Sequence, residues 1–308
     1  MTDISLRTIP ERKRRRLVSF MRELVKGKPV GFAGAIVVVV LLFVGVFADF
    51  LAPYPAERAH IADTLLAPSS KYWLGTDHLG RDLLSRVIFG ARVSAIVGFV
   101  VAAFSTLVSV IIGMVSGYLG KTFDLIVQRG VDIVMCFPAL LLHIAILAML
   151  RPGLWQVILV LSLSWGIIGS RVIRGVTMSV KEHAYIQAAL SIGCSRARIL
   201  TTHILPNIMT SAIILFSVRI SAAILTEASL SFLGFGIPPP AVSWGGMLSS
   251  DSREYMFMAP WMAIWPGVLL SLVVFGANMF GDAVRDILDP RLKGTAGRFG
   301  IKARKTES

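Results

Sequence analysis

Long uncharged apolar runs alternate with short basic stretches along this chain. Val30 to Ala48, Val93 to Gly120, Ile133 to Leu150, Pro152 to Ser170 and Tyr255 to Gly281 carry no charged residue. A sixth apolar region, Asn207 to Phe235, is interrupted by Arg219 and Glu227. A helix crossing the hydrocarbon core needs about 20 mainly apolar residues, so the pattern predicts six spans, with the fifth weakest by hydropathy. Strands of a membrane barrel would alternate apolar and polar positions over short segments. These runs do not alternate, and the fold class is therefore read as an all-α polytopic membrane protein. The first run is about twice as long as a signal-peptide apolar region and lacks a clear small-residue cleavage site before Pro53. It reads as a retained anchor.

Composition agrees. Of 308 residues, 55% are hydrophobic and 16% charged, where a soluble domain carries about 25% charged residues, and mean hydropathy is +0.73. The net charge of +13 would suggest nucleic acid in a soluble protein, but its distribution argues otherwise. With the N-terminus inside, 23 of the 31 Lys and Arg residues fall on one side: 9 before Pro29, 2 in residues 118–130, 5 in residues 170–206 and 7 from Arg285 onward. That is the positive-inside bias of a chain with both termini in the cytoplasm. The run "RKRRR" at residues 12–16 then serves topology and anionic membrane lipid, at roughly 1 kcal/mol per basic residue. No nucleic-acid partner is expected. The expected organisation is a cytoplasmic basic segment (1–29), an N-terminal span (30–52), an extracytoplasmic segment (53–90), a five-helix core (91–284) and a cytoplasmic tail (285–308).

The candidate chemistry is sparse. Cys136 and Cys194 lie far apart, no CxxC spacing appears, and the five His are scattered, so no metal site or cofactor is implied. No GxxxxGK[ST] loop is present, and no pair of spans carries a nucleophile with a base. The chain reads as a non-enzyme. In the segment before the second span, Leu83, Leu84, Val87 and Ile88 recur at helical spacing, which predicts an interfacial amphipathic helix leading into that span.

The polar stretch "QAALSIGCSRARILTTHILPN" (187–207) stands out between two apolar runs. Tyr185, Ala188, Ala189 and Ile192 fall at i, i+3, i+4 and i+7 and make one narrow face of small residues. Gly193 is placed to end that helix in the left-handed region. Ser195 is placed to cap a second helix carrying Arg196 and Arg198. Pro206 is expected to stop or kink it before the next span. A helix this short is unstable alone and should lie against something, either its own bundle or a partner.

This stretch resembles the EAA loop of ABC importer permeases, in which E-A-A is followed by three residues, G, nine residues and I-x-L-P. Gln187, Ala188, Ala189, Gly193, Leu205 and Pro206 stand in register, with Gln187 in place of the glutamate and His203 in place of the isoleucine. "GTDHLGRDLLSRVIFGARVS" (75–94), "EASLSFLGFGIPPPAVSWGGML" (227–248) and "GDAVRDILDPRL" (281–292) are similar to the second, C-type permease of the dipeptide/oligopeptide/nickel branch. The resemblance covers roughly residues 17–293. It implies six transmembrane helices in the type I importer (MetI-like) permease fold, in a bacterial inner membrane. It also implies a heterodimer with a second permease subunit, two cytosolic ATPase subunits and an extracytoplasmic substrate-binding protein. Residues 178–206 would be the coupling loop that docks into an ATPase groove. Peptides are the broadest expected solute; nickel, glutathione or an opine-like solute stay open.

A self-sufficient secondary transporter is the competing class, and such proteins often show internal repeats and several intramembrane acids. Here no repeat is evident, and one acid and one base share one span. Arg219 and Glu227 are candidates for the translocation path. Eight residues apart, they lie about 80° from each other around a helix and roughly 12 Å apart along it, so direct pairing is not expected. One reading puts Glu227 at the outer interface and ties Arg219 to the other permease subunit. The other has Arg219 facing the path, where it would favour an anionic group such as a peptide carboxylate.

Overall fold

In the computed structural model, residues 20–255 and 257–288 are described. A short helix over 20–27 (α1) leads into α2 (Pro29–Val46) and α3 (Ala48–Leu51). A largely irregular segment follows, and then α4 (Leu83–Leu119). Next come α5 (Lys121–Met135), α6 (Ala139–Met149) and α7 (Leu154–Lys181). The polar loop holds α8 (Ala184–Ser191) and α9 (Arg196–Arg198) and runs through a π-helical segment, Ile199–Ile204, into α10 (Leu205–Phe232). The small α11 (Trp244–Met247) and α12 (Ser250–Tyr255) precede α13 (Trp261–Leu288). Among the described residues five helices are long and apolar enough to cross a membrane, and the bent pair α5–α6 makes up to six spans.

Three of the expected elements differ from their sequence reading. The third span is not one straight helix over 133–150, because α5 and α6 meet at 89°. Pro138 lacks an N–H and disfavours helical geometry at Phe137 before it, so the helix breaks there. The amphipathic stretch after Asp82 is not a separate interfacial helix either. It is the first turns of a continuous 37-residue α4, about 55 Å long at 1.5 Å per residue. Leu83 and Val87 are buried in the protein, where the Trp244 indole packs and donates from Nε1 to the Val87 carbonyl at 3.0 Å. Finally, Pro206 neither stops nor sharply kinks its helix. The wider π-turn ahead of it absorbs the missing donor, so helical backbone continues from Arg196 to Phe232.

α4 is the central helix. It packs along α7 and also touches α10 and α2, while α13 closes against α2 and α10. Small residues allow the α4–α7 approach, as is usual where lipid removes the hydrophobic drive for helix association. A Cβ on Gly113 would overlap the Ser170 carbonyl and come within 2.8 Å of the Ile173 Cβ.

The bundle has two distinct ends. At one, Lys181 Nζ donates to the Tyr118 carbonyl at 2.8 Å, joining the ends of α7 and α4 beside α8. At the other, residues 53–82 fold over the starts of α4 and α13. Thr76 is the hub there: its Oγ1 accepts from Leu66 N (2.8 Å) and donates to the Asp63 carbonyl (2.6 Å), and its carbonyl accepts from Trp261 Nε1 (3.1 Å). Hydrogen bonds from Lys71 and Tyr72 hold the Asp63 carboxyl below the usual carboxylate range. Asp82 caps α4, accepting from Ser85 N at 2.8 Å and Ser85 Oγ at 2.6 Å.

The α4–α7 contact is open to a paired test. Gly113→Leu should destabilise the purified protein by about 1–3 kcal/mol through overpacking and lower its thermal unfolding midpoint in detergent. Gly130→Leu, where a Cβ meets nothing within 4 Å, should not. Equal midpoints for the two variants would show that the close approach is not needed.

Candidate functional site

The polar loop is built as its local sequence dictates. Gly193 has φ +81, in the left-handed region, and a Cβ there would meet nothing within 4 Å. Cys194 N donates to the Ala189 carbonyl and Gly193 N to the Leu190 carbonyl, both at 3.0 Å. Those are the paired bonds of a Schellman ending, and they satisfy carbonyls the helix itself leaves free. Ser195 Oγ then accepts from Arg198 N at 3.4 Å, starting α9. One helix therefore ends and another begins within four residues, with no bond to any distant element required.

Its orientation comes from packing. Ile186 and Ala189 turn inward and are buried, and Ile186 packs with Ile199, Ile204 and Ile208 against Tyr118, Ile173 and Val180. Ala188 lies exposed, as do Tyr185 and Ile192, the latter 81% exposed. The expected single face is thus divided, with Ala189 seated on its own bundle and Ala188 facing outward. Gln187 is exposed at the surface, and its Nε2 donates to the Lys181 carbonyl at 3.1 Å, capping the end of α7. A glutamate carboxylate could not make that bond, since it has no donor. Leu205 is half-buried and Pro206 exposed in the first turn of α10. Asn207 Nδ2 donates to the Tyr185 hydroxyl at 3.1 Å, which joins that turn back to α8.

Ionic links between α5 and α7, which are not among the candidate residues named from the sequence, lie next to this loop. Asp124 on α5 accepts two hydrogen bonds from Arg174 on α7, each at 2.5 Å, and a third from Ser116 Oγ on α4. Asp132, two turns along α5, pairs with Arg171 and Arg129. Bidentate guanidinium–carboxylate pairs are both strong and directional. Arg171 and Arg174 sit three residues apart on one helix, and Asp124 and Asp132 eight apart on another. That spacing was visible, but which helices faced each other was not.

Arg219 and Glu227 go to different neighbours. Arg219 is buried among α4, α7 and α10. It donates to Ser105 Oγ (3.2 Å), Thr106 Oγ1 (3.5 Å), Ser109 Oγ (3.1 Å) and the Trp165 carbonyl (2.8 Å). Gly169 makes room for it, because a Cβ there would overlap the guanidinium. Both of its terminal nitrogens are thus engaged within the same chain. Glu227 is fully buried within the protein. Its Oε1 accepts from Ser231 Oγ at 2.6 Å, and Oε2 has no hydrogen-bond partner among the described residues.

Comparison with known proteins now bears on this arrangement. Residues 109–294 match the family described as binding-protein-dependent transport system inner membrane component. Over 272 residues the chain is 36% identical to the dipeptide transport system permease protein DppC of Alkalihalophilus pseudofirmus, covering 88% of this chain and 89% of that one. It is 38% identical over 265 residues to the glutathione transport system permease protein GsiD of Pectobacterium atrosepticum, covering 86% and 88%. It is 34% identical over 268 residues to the oligopeptide transport system permease protein OppC of Bacillus subtilis, covering 87% and 88%.

The loop geometry makes its own prediction. Gly193→Val forces a β-branched residue into the left-handed region, at roughly 1–2 kcal/mol or more. The Schellman turn should open and the half-buried Cys194 should react faster with a thiol reagent, with membrane insertion unchanged. An unaltered labelling rate would show that the turn does not depend on this φ.

Proposed function

This chain belongs to the family of binding-protein-dependent transport system inner membrane components, and from that premise we propose that it forms half of the translocation path of an ATP-driven peptide importer. The observation that carries the reading is the α8 loop. A preset helix–turn–helix stands at one end of the bundle, offers Ala188, Tyr185 and Ile192 outward, and is anchored by Ile186 to the helices behind it. In this reading that end is cytoplasmic, both termini lie on that side, and the loop docks into a groove of an ATPase subunit. A second permease subunit completes the path, and a binding protein delivers solute at the other end.

In this reading the loop acts as a lever once docked. A push on α8 reaches α10 through the isoleucine cluster, α7 through the Gln187 bond, and α5 through the Asp124–Arg174 pair. For ATP to drive transport, the inward- and outward-facing states must differ in their contacts with the partners. The named relatives carry dipeptides, oligopeptides and glutathione, the last itself a tripeptide, so a short peptide is the proposed cargo. We assign Arg219 and Glu227 to shaping the helices that wall the path rather than to contacting solute.

The decisive experiment is reconstitution of this chain with its second permease, ATPases and binding protein in liposomes. ATP-dependent peptide uptake is expected; accumulation by this chain alone without ATP would overturn the reading. Ala188→Trp should block the groove contact, reducing ATPase co-purification and uptake while leaving the two permeases assembled. Normal co-purification would refute the docking assignment.

Arg219→Gln removes donors to three hydroxyls and a carbonyl, each bond of a charged group being worth about 1.5–3 kcal/mol. Uptake of free-carboxylate and C-terminally amidated peptides should fall together. A selective loss of the free-carboxylate peptide would restore a solute-contacting role.

A further inference from the structure

We infer that the exposed side of α5 around Arg129 and Asp132 lines the solute path, and that Arg129 receives the carboxylate of the transported peptide there. The inference rests on the importer reading above and gives its path a wall. Arg219 and Glu227, both buried, do not supply one.

Depth carries the argument. Arg171 stands ten residues from the loop end of α7 and seventeen from its start, about 15 and 25 Å at 1.5 Å per residue. A hydrocarbon core of about 30 Å centred on that helix encloses it. Asp132 lies at the same level, because Arg171 Nη2 donates to it, and Arg129 Nη1 reaches the same carboxylate at 3.3 Å. Yet the described residues do not cover these side chains: Arg129 is 74% exposed, Arg171 40% and Asp132 39%. Ionised groups at such depth are costly against lipid and face protein or water. Long basic side chains escape by bending toward the headgroups. Asp132 is too short to do so, and it keeps both guanidiniums at its own level.

The backbone points the same way. α5 ends at Met135, one turn beyond Asp132, and meets α6 at 89°. Such a break leaves helix-end carbonyls without intrahelical donors, which membrane proteins tolerate only against protein or along a water-filled cavity. Cys136 and Phe137 at the break are exposed. At 3.6 residues per turn Arg129, Asp132 and Cys136 fall within about 60° around α5. An ionic cluster and an open break therefore share one side of one helix, inside the span. Asp124 and Arg174, nearer the α8 loop, bind each other. Arg171 keeps Asp132 partnered, so the exposed Arg129 can turn its fork to a solute carboxylate, a bidentate match that is strong and directional.

The test uses the complete transporter in lipid nanodiscs and a charged, impermeant methanethiosulfonate, with labelling at Cys136 read by peptide mass spectrometry. The reagent attacks as the thiol ionises, which requires water, so Cys136 should react at least about tenfold faster than Val268→Cys on the exposed apolar side of α13. Equally slow labelling of the two would overturn the inference, because that side of α5 would then face lipid. So would a Cys136 that reacts in the isolated chain and is shielded in the complete transporter, which would make this side a subunit contact. A second arm measures uptake of one peptide in free-carboxylate and C-terminally amidated forms, each saturating the binding protein. Arg129→Gln should lower uptake of the free-carboxylate form about tenfold relative to the amidated form, the loss expected for one bond between charged groups, with assembly unchanged. Arg129→Lys should restore part of it. Equal falls for both forms would overturn the carboxylate assignment. A wild-type transporter without ATP-dependent uptake would overturn the importer reading and that assignment with it, whereas Cys136 labelling judges the aqueous side independently.

Discussion

The close approach of α4 to α7 is the contact on which the rest of the structure depends. α4 is 37 residues long, well beyond the roughly 20 that a bilayer requires, and it reaches both ends of the bundle. Its start is capped by Asp82 and covered by Trp244; its end meets Lys181. Between them, glycine at 113 lets backbone pack against backbone. In a bilayer the helices gain nothing by escaping lipid, so the fit of small residues has to hold them together.

The same contact makes buried charge tolerable. Arg219 sits where α4, α7 and α10 converge, and α4 contributes Ser105, Thr106 and Ser109 to receive its guanidinium. None of its described partners is a carboxylate, so the cation is met by hydroxyl and carbonyl dipoles alone. Asp124, by contrast, is answered by a full countercharge, Arg174, with Ser116 of α4 assisting. Charges in membrane helices usually face protein or water. Here the protein supplies graded partners, neutral deep in the bundle and ionic beside the α8 loop.

That gradation suits a mechanical role. The α8 loop is locally rigid because its turn is fixed by backbone bonds and a left-handed glycine, and it is anchored by a cluster of isoleucines rather than by a flexible tether. A load on its exposed residues therefore passes to α7 and α10 together. At the opposite end, Thr76 ties the Asp63 carbonyl to the Trp261 indole, so that surface too is held by fixed bonds. The two ends are joined by continuous helices, so a change in contacts at one can bias the arrangement at the other.

The sequence by itself determined what depends on near neighbours. Apolar run length located the spans, Gly193 and Ser195 specified the turn and the cap, and the spaced motifs identified the family. These are properties of a few adjacent residues, whose backbone angles and local bonds are set by steric and capping preferences. Pro138 and Pro206 show the limit of such reasoning. Both lack the same donor, yet one breaks its helix at 89° and the other is absorbed by a π-turn. Only tertiary structure decided that Ala189 turns inward while Ala188 stays exposed, that α4 runs unbroken, and that Arg219 is met by serines more than a hundred residues away. Helical periodicity places residues on a common face, but which part of that face is covered depends on partners that only folding brings together.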